Sequence, residues 1–78
     1  MPFIVIGGYR IGFYSNERDE PPHVHVIRGD NEAKFWLSPV RLVQNYGYNQ
    51  RDIGKIAALI TGHEAELLEM WHEHFTQA

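Results

Sequence analysis

Cysteine is absent from this chain. Its absence excludes disulfides, four-cysteine zinc sites and iron–sulfur clusters. Long apolar runs are missing too. None approaches the roughly 20 residues that cross a bilayer. The opening Met-Pro-Phe-Ile-Val-Ile has no basic segment and no long apolar stretch, so it does not resemble a signal peptide, and a cytoplasmic location is expected. Basic residues are missing after Lys55. Residues 56–78 carry four Glu and no Lys or Arg, a net −4, against seven basic and six acidic groups, a net +1, in residues 1–55, which sums to −3. Readers of duplex DNA show a basic face, so neither duplex DNA nor a membrane is an expected partner. Repeats, linkers and low-complexity tracts are also lacking.

Length is the last shortage. A chain of 78 residues removes only about 60% of its unfolded surface on folding. Such a chain needs a dense core, a second copy, or a metal held by histidine and carboxylate. What is present is the composition of an ordered protein: 44% hydrophobic and 13% aromatic residues with 22% charged, which is not a disordered profile. A single domain over 1–78 is expected, with a β-hairpin sheet over 1–44 and a helical segment over 49–76.

Two hairpins are legible. Phe3–Ile6 and Tyr9–Ser15 flank Gly7-Gly8, whose glycines tolerate the positive φ of a tight turn. Ile4, Ile6, Tyr9, Ile11 and Phe13 then share a core face, and Phe3, Val5, Arg10, Gly12 and Tyr14 the other. Residues 16–22 are read as a charged loop that ends on Pro21-Pro22, which cannot continue a helix or a central strand. The second hairpin runs His23–Arg28, Gly29-Asp30, Asn31–Leu37. Its turn pairs Val26 with Ala33 and Val24 with Phe35 on the core face. It sets His23 opposite Trp36, His25 opposite Lys34 and Ile27 opposite Glu32 on the polar one. Ser38-Pro39 ends that strand. Val40–Val43 is read as a short edge strand or a single turn, and Asn45–Tyr48 as a loop.

Beyond Asn49 the period becomes helical. Asn49 is a good N-cap, and Ile53, Ile56, Ala57 and Ile60 form an apolar stripe. Thr61-Gly62-His63-Glu64 interrupts it, because glycine is costly inside a helix and Thr-x-x-Glu is a capping pattern. Leu67, Leu68, Trp71 and Phe75 resume it. The expected fold is α+β: an antiparallel sheet of three to five strands, followed by one broken helix or two helices packed on one face.

Several of these segments resemble one family. They are Phe13-Tyr14-Ser15, Pro21-Pro22-His23-Val24-His25-Val26, the stretch Gly29 to Val40, and Leu68 to Phe75. The likeness is to the small bacterial family catalogued as domain of unknown function 4160, and it covers nearly the whole chain. Such proteins are often encoded beside another short protein. The resemblance therefore implies one member of a toxin–antitoxin-like pair, and it carries no established catalytic residue.

The polar face of the second hairpin is the candidate working surface: His23, His25, Glu32, Lys34 and Trp36, with Arg28 at its rim and Tyr14 nearby. Three uses compete. As an interaction module, the chain would bind a second copy or a neighbouring-gene partner, because Phe3, Val5, Tyr14, Trp36, Tyr46 and Tyr48 are more aromatic and apolar surface than a small monomer leaves exposed. As a metal-independent ribonuclease-like toxin, it would use His23 and His25 as acid and base, Lys34 and Arg28 as phosphate holders, and Trp36 or Tyr14 to stack a base; RNA would then be its partner. As a metal binder, it would offer His23 and His25 from one strand face, with Glu32 or a loop acid such as Asp19 or Glu20 as third ligand. The interaction module is the leading expectation. No cofactor is assigned, and both histidines could instead be plain surface or half-buried strand residues, with Lys34 repelling a cation. His72 and His74 do not share a helical face and are read as solvated.

Overall fold

The computed structural model describes residues 2–76. Five strands form one antiparallel sheet in the order β1-β2-β3-β4-β5. They are β1 (Phe3–Ile6), β2 (Tyr9–Gly12), β3 (His23–Arg28), β4 (Asn31–Leu37) and β5 (Val40–Tyr46), followed by α1 (Gln50–Gly62) and α2 (Glu64–Thr76). The fold is α+β, as the change of period near Asn49 implies. Among the described residues no helix is long and apolar enough to cross a membrane.

Both hairpin registers follow from their turns. Gly7 and Gly8 have φ of 58° and 86°, and Ile6 pairs with Tyr9 and Ile4 with Ile11. In the second hairpin Arg28 pairs with Asn31, Val26 with Ala33, Val24 with Phe35, His25 with Lys34 and His23 with Trp36. Alternation then sends Ile11, Val24, Val26, Ala33, Phe35 and Leu37 to one face, where Ile56, Ile60 and Leu67 of the helices cover them. Asn49 caps α1 by accepting a hydrogen bond from the Asp52 N–H at 2.8 Å. The chain breaks at His63 between the helices.

Four sequence expectations are corrected. First, β2 stops at Gly12 instead of Ser15, because β1 ends its pairing there and the chain goes on into a single 3-10 turn, Ser15–Glu17, that spans the end of the expected strand and the start of the expected loop. Second, β5 is a full strand through Tyr46 that pairs with β4 from Glu32 to Leu37, with a register shift between Lys34 and Phe35. Third, Tyr48 is buried, not exposed; its hydroxyl donates to the Val26 carbonyl at 3.0 Å, so the polar tip is satisfied inside. Fourth, His74 is half-buried against Phe13, with its Nε2 3.1 Å from Ser15 Oγ. His72 is exposed as expected.

Gly12 is required for another reason than its torsions. A Cβ there would land on the Pro2 carbonyl and 2.7 Å from Phe3 Cα. Gly12→Ala should push β1 off β2 and cost about 1–3 kcal/mol. A urea midpoint equal to that of the wild type would count against this close approach.

Candidate functional site

The site lies at the start of β3, on the sheet face opposite α1 and at the end of the sheet that α2 reaches. Strand alternation puts His23 and His25 on the same side. The segment between β2 and β3 then folds back over them. Within it, the Tyr14 N–H donates to Glu17 Oε1 at 3.0 Å, which fixes the carboxylate above the strand. Pro21-Pro22 carry the chain in an extended path back to His23, and the Leu37 N–H donates to the Pro22 carbonyl at 3.0 Å, tying the segment to β4. Trp71 of α2 closes the other side of His23, with ring centres 5.0 Å apart. Both histidines are consequently buried, at 0% and 9% exposure, and neither is a surface residue.

The two imidazoles converge on one carboxylate. His23 Nε2 is 3.0 Å from Glu17 Oε1, and His25 Nε2 is 2.9 Å from Glu17 Oε2. The far nitrogens are held from behind. His23 Nδ1 is 2.9 Å from the Pro21 carbonyl, and His25 Nδ1 is 3.1 Å from Glu32 Oε2. A carbonyl can only accept, so the His23 Nδ1 carries the proton. In the neutral ring its Nε2 is then a lone pair facing a carboxylate oxygen. The approach is off-line, and Nε2 is fully buried with no hydrogen-bond partner among the described residues.

Charge in the site is unbalanced. Burial pushes the Glu17 carboxyl up, but the hydrogen bond from the Tyr14 N–H and the contact with His25 outweigh it and hold the carboxyl below its usual value. Burial pushes the Tyr14 phenol up, and the Glu32 and Glu17 charges add to that. The Tyr14 ring lies against His25, with centres 4.7 Å apart. Lys34 does not stand free: it pairs with Glu20 and sits 5.2 Å from the Trp36 ring centre. Three carboxylates, Glu17, Glu20 and Glu32, thus stand around the Lys34 ammonium, and Arg10 on the same face is near enough that its charge partly offsets theirs at Tyr14. Tyr14, Ser15, Asn16, Glu17, Glu20 and His25 line an opening from this cluster to solvent.

The lowered Glu17 value sets the sign of an acid effect. A carboxyl with a folded value below its unfolded one binds its proton first in the unfolded chain as pH falls. Its contribution is complete above the ordinary glutamate value of about 4.3 and is lost as pH falls through the folded value. Between pH 6 and pH 3 the urea midpoint of the metal-free wild type should drop more than that of Glu17→Gln. Parallel curves would remove Glu17 from the acid response.

Of the residues picked out by sequence, Tyr14, His23, His25, Glu32, Lys34 and Trp36 come together. Arg28 does not belong at the rim of this face. It has the parity of Val24 and Val26, and its guanidinium lies over the Tyr9 ring at 5.3 Å on the helix side. Glu32 is close, but it holds the back of His25 and does not complete the trio. Asp19 is exposed, and Glu20 stands 3.9 Å from the His23 Nδ1 and is paired with Lys34. The residue that sequence reasoning missed is Glu17. One signal for it exists: a glutamate three residues after Tyr14, positioned to close a short turn on the Tyr14 N–H.

Fold and cluster define a class: a small α+β protein whose antiparallel sheet is followed by two helices and carries two buried histidines converging on a half-buried carboxylate. Residues 8–72 match the family described as Domain of unknown function (DUF4160), and the chain belongs to that family. No curated protein and no solved structure matches the chain.

Proposed function

We propose that this protein binds a single divalent transition-metal ion through Glu17, His23 and His25. One observation carries the proposal: three candidate ligand atoms, two imidazole Nε2 and one carboxylate oxygen, lie within 4.8 Å of one another. With both rings neutral and their protons on Nδ1, three lone-pair atoms crowded in a mostly buried place suit a cation between them. Two donors bound at about 2.0–2.1 Å to one metal, at angles between octahedral and tetrahedral, are roughly 2.9–3.3 Å apart. The separations from Glu17 to the two histidines fall at that spacing. The off-line approach of His23 to Glu17 suits a shared third atom better than a direct hydrogen bond. The Pro21 carbonyl and Glu32 play the part of outer partners, orienting each ring through Nδ1. Two imidazoles and one carboxylate suit zinc, iron(II) or cobalt(II) better than magnesium or calcium. The opening beside Tyr14 and Asn16 supplies an entry path and room for a further ligand.

Untagged protein stripped with a chelator and titrated with zinc at pH 7 by calorimetry should show one saturable site per chain. Heats no larger than those of Glu17→Ala would overturn the proposal.

A second reading is a partner surface on the same sheet face. Val5 and Tyr46 are 72% and 62% exposed, and they end a row that runs Val5, Arg10, Ile27, Glu32, Tyr46 across the five strands. This row favours the interaction module, with a second copy or a neighbouring-gene product of a bacterial toxin–antitoxin-like pair as occupant, in the cytoplasm. Co-expression with the neighbouring gene product should yield a complex that Val5→Asp weakens. Ribonuclease chemistry is the weakest of the three readings: Lys34 is engaged by Glu20, and a phosphate entering here would meet Glu17, Glu20 and Glu32.

A further inference from the structure

On the opposite side of the sheet, between the Gly7-Gly8 turn and α1, lies a cleft of about 590 Å³. Tyr9, Ala58 and Leu59 give it apolar walls, and Arg28, Lys55 and His63 stand around it. Its size and make-up are those of a small-molecule site, apolar with a few polar groups.

Its charge is the unusual part. The chain as a whole carries −3, yet among the described residues no carboxylate lies within ion-pair distance of Arg28, Lys55 or His63. Arg28 is held in place by its stacking on Tyr9. His63 Nδ1–H donates to the Leu59 carbonyl at 2.8 Å, which leaves Nε2 as the ring's free nitrogen. Two cations, one of them held by an aromatic ring, and an imidazole beside an apolar wall match an anion with an apolar body, and do not match a neutral or cationic ligand.

We infer that this cleft binds a small organic anion, its apolar body along Tyr9, Ala58 and Leu59 and its carboxylate or phosphate between Arg28 and Lys55. The cleft is independent of the metal site, which lies on the other face. Leu59 also sets the depth: a Cβ at Gly7 would come within 2.9 Å of its Cδ1, so the turn and the helix already touch at the cleft floor.

The test is a titration followed by amide chemical shifts, with octanoate, octyl phosphate and octanol as probes. Octanoate or octyl phosphate should shift the amides of Gly7–Tyr9 and Ala58–His63 saturably, and the tighter of the two identifies the head group. Octanol should bind about tenfold more weakly or worse. Arg28→Gln with Lys55→Gln, both exposed positions, should weaken the anion about tenfold or more while leaving the remaining spectrum and zinc binding unchanged. Octanol binding as tightly as the anions, a double variant with unchanged affinity, or no saturable shift would each overturn the inference.

Discussion

His25→Ala should bind zinc more than about 100-fold more weakly than the wild type, a loss beyond the roughly 10–100-fold that follows removal of an outer partner. The two ring nitrogens have different tasks. His25 Nε2 faces Glu17 at 2.9 Å while its Nδ1 faces Glu32 at 3.1 Å. Removing the ring deletes a ligand; removing Glu32 only loosens the ring. Glu32→Ala should therefore fall between wild type and His25→Ala, and Lys34→Met should bind zinc as tightly as wild type or more tightly, because it removes a nearby positive charge. The ordering is the informative result. If Glu32→Ala loses as much as His25→Ala, Glu32 is itself a ligand and the trio is wrongly drawn. If none of these variants changes the affinity, the metal sits elsewhere.

Trp71→Ala should cost about 3–5 kcal/mol, the usual loss for an aromatic removed from a core. A 78-residue chain has only about 4–12 kcal/mol in total at 0.05–0.15 kcal/mol per residue. That loss is about a quarter or more of the total, so the urea midpoint should fall by a comparable fraction. Trp71 is buried at 5% exposure, with ring centres 4.9 Å from Phe13, 4.4 Å from Phe75 and 5.0 Å from His23. It joins α2, the end of the first hairpin and the candidate site in one contact. Near-ultraviolet circular dichroism and urea denaturation read the effect, and excess zinc should recover part of the folded population because a ligand of the native state stabilises it. Trp71→Phe keeps most of the contact and should lose less. A midpoint for Trp71→Ala within error of the wild type would mean that α2 is not anchored through this ring.

Much of this fold is written in local pattern. Two-residue turns at Gly7-Gly8 and Gly29-Asp30 determine pairing register, and register with alternation determines which residues share a face. That is why His23, His25, Glu32, Lys34 and Trp36 fall into one group on pattern alone. The N-cap at Asn49 and the break at Gly62-His63 are equally local, because a cap and a glycine act within one helical turn.

Other features depend on contacts distant in sequence. The length of β5 followed from the free edge of β4, not from the propensity of Gln44 or Asn45. Tyr48 is buried because the Val26 carbonyl waits 22 residues away to accept its hydroxyl. The burial of both histidines needs the segment before β3 folded over them and Trp71 brought in from α2. The choice of Glu17 over Asp19, Glu20 or Glu32 as the carboxylate between them was made by the 3-10 turn and the path of Pro21-Pro22. Sequence determined the sheet face and the histidine pair, through periods of two and turns of fixed length. The side of Arg28 was also written there, in its parity with Val24 and Val26. Tertiary structure alone decided the third member of the trio, because loop closure and long-range packing, unlike strand alternation, leave no periodic trace in the chain.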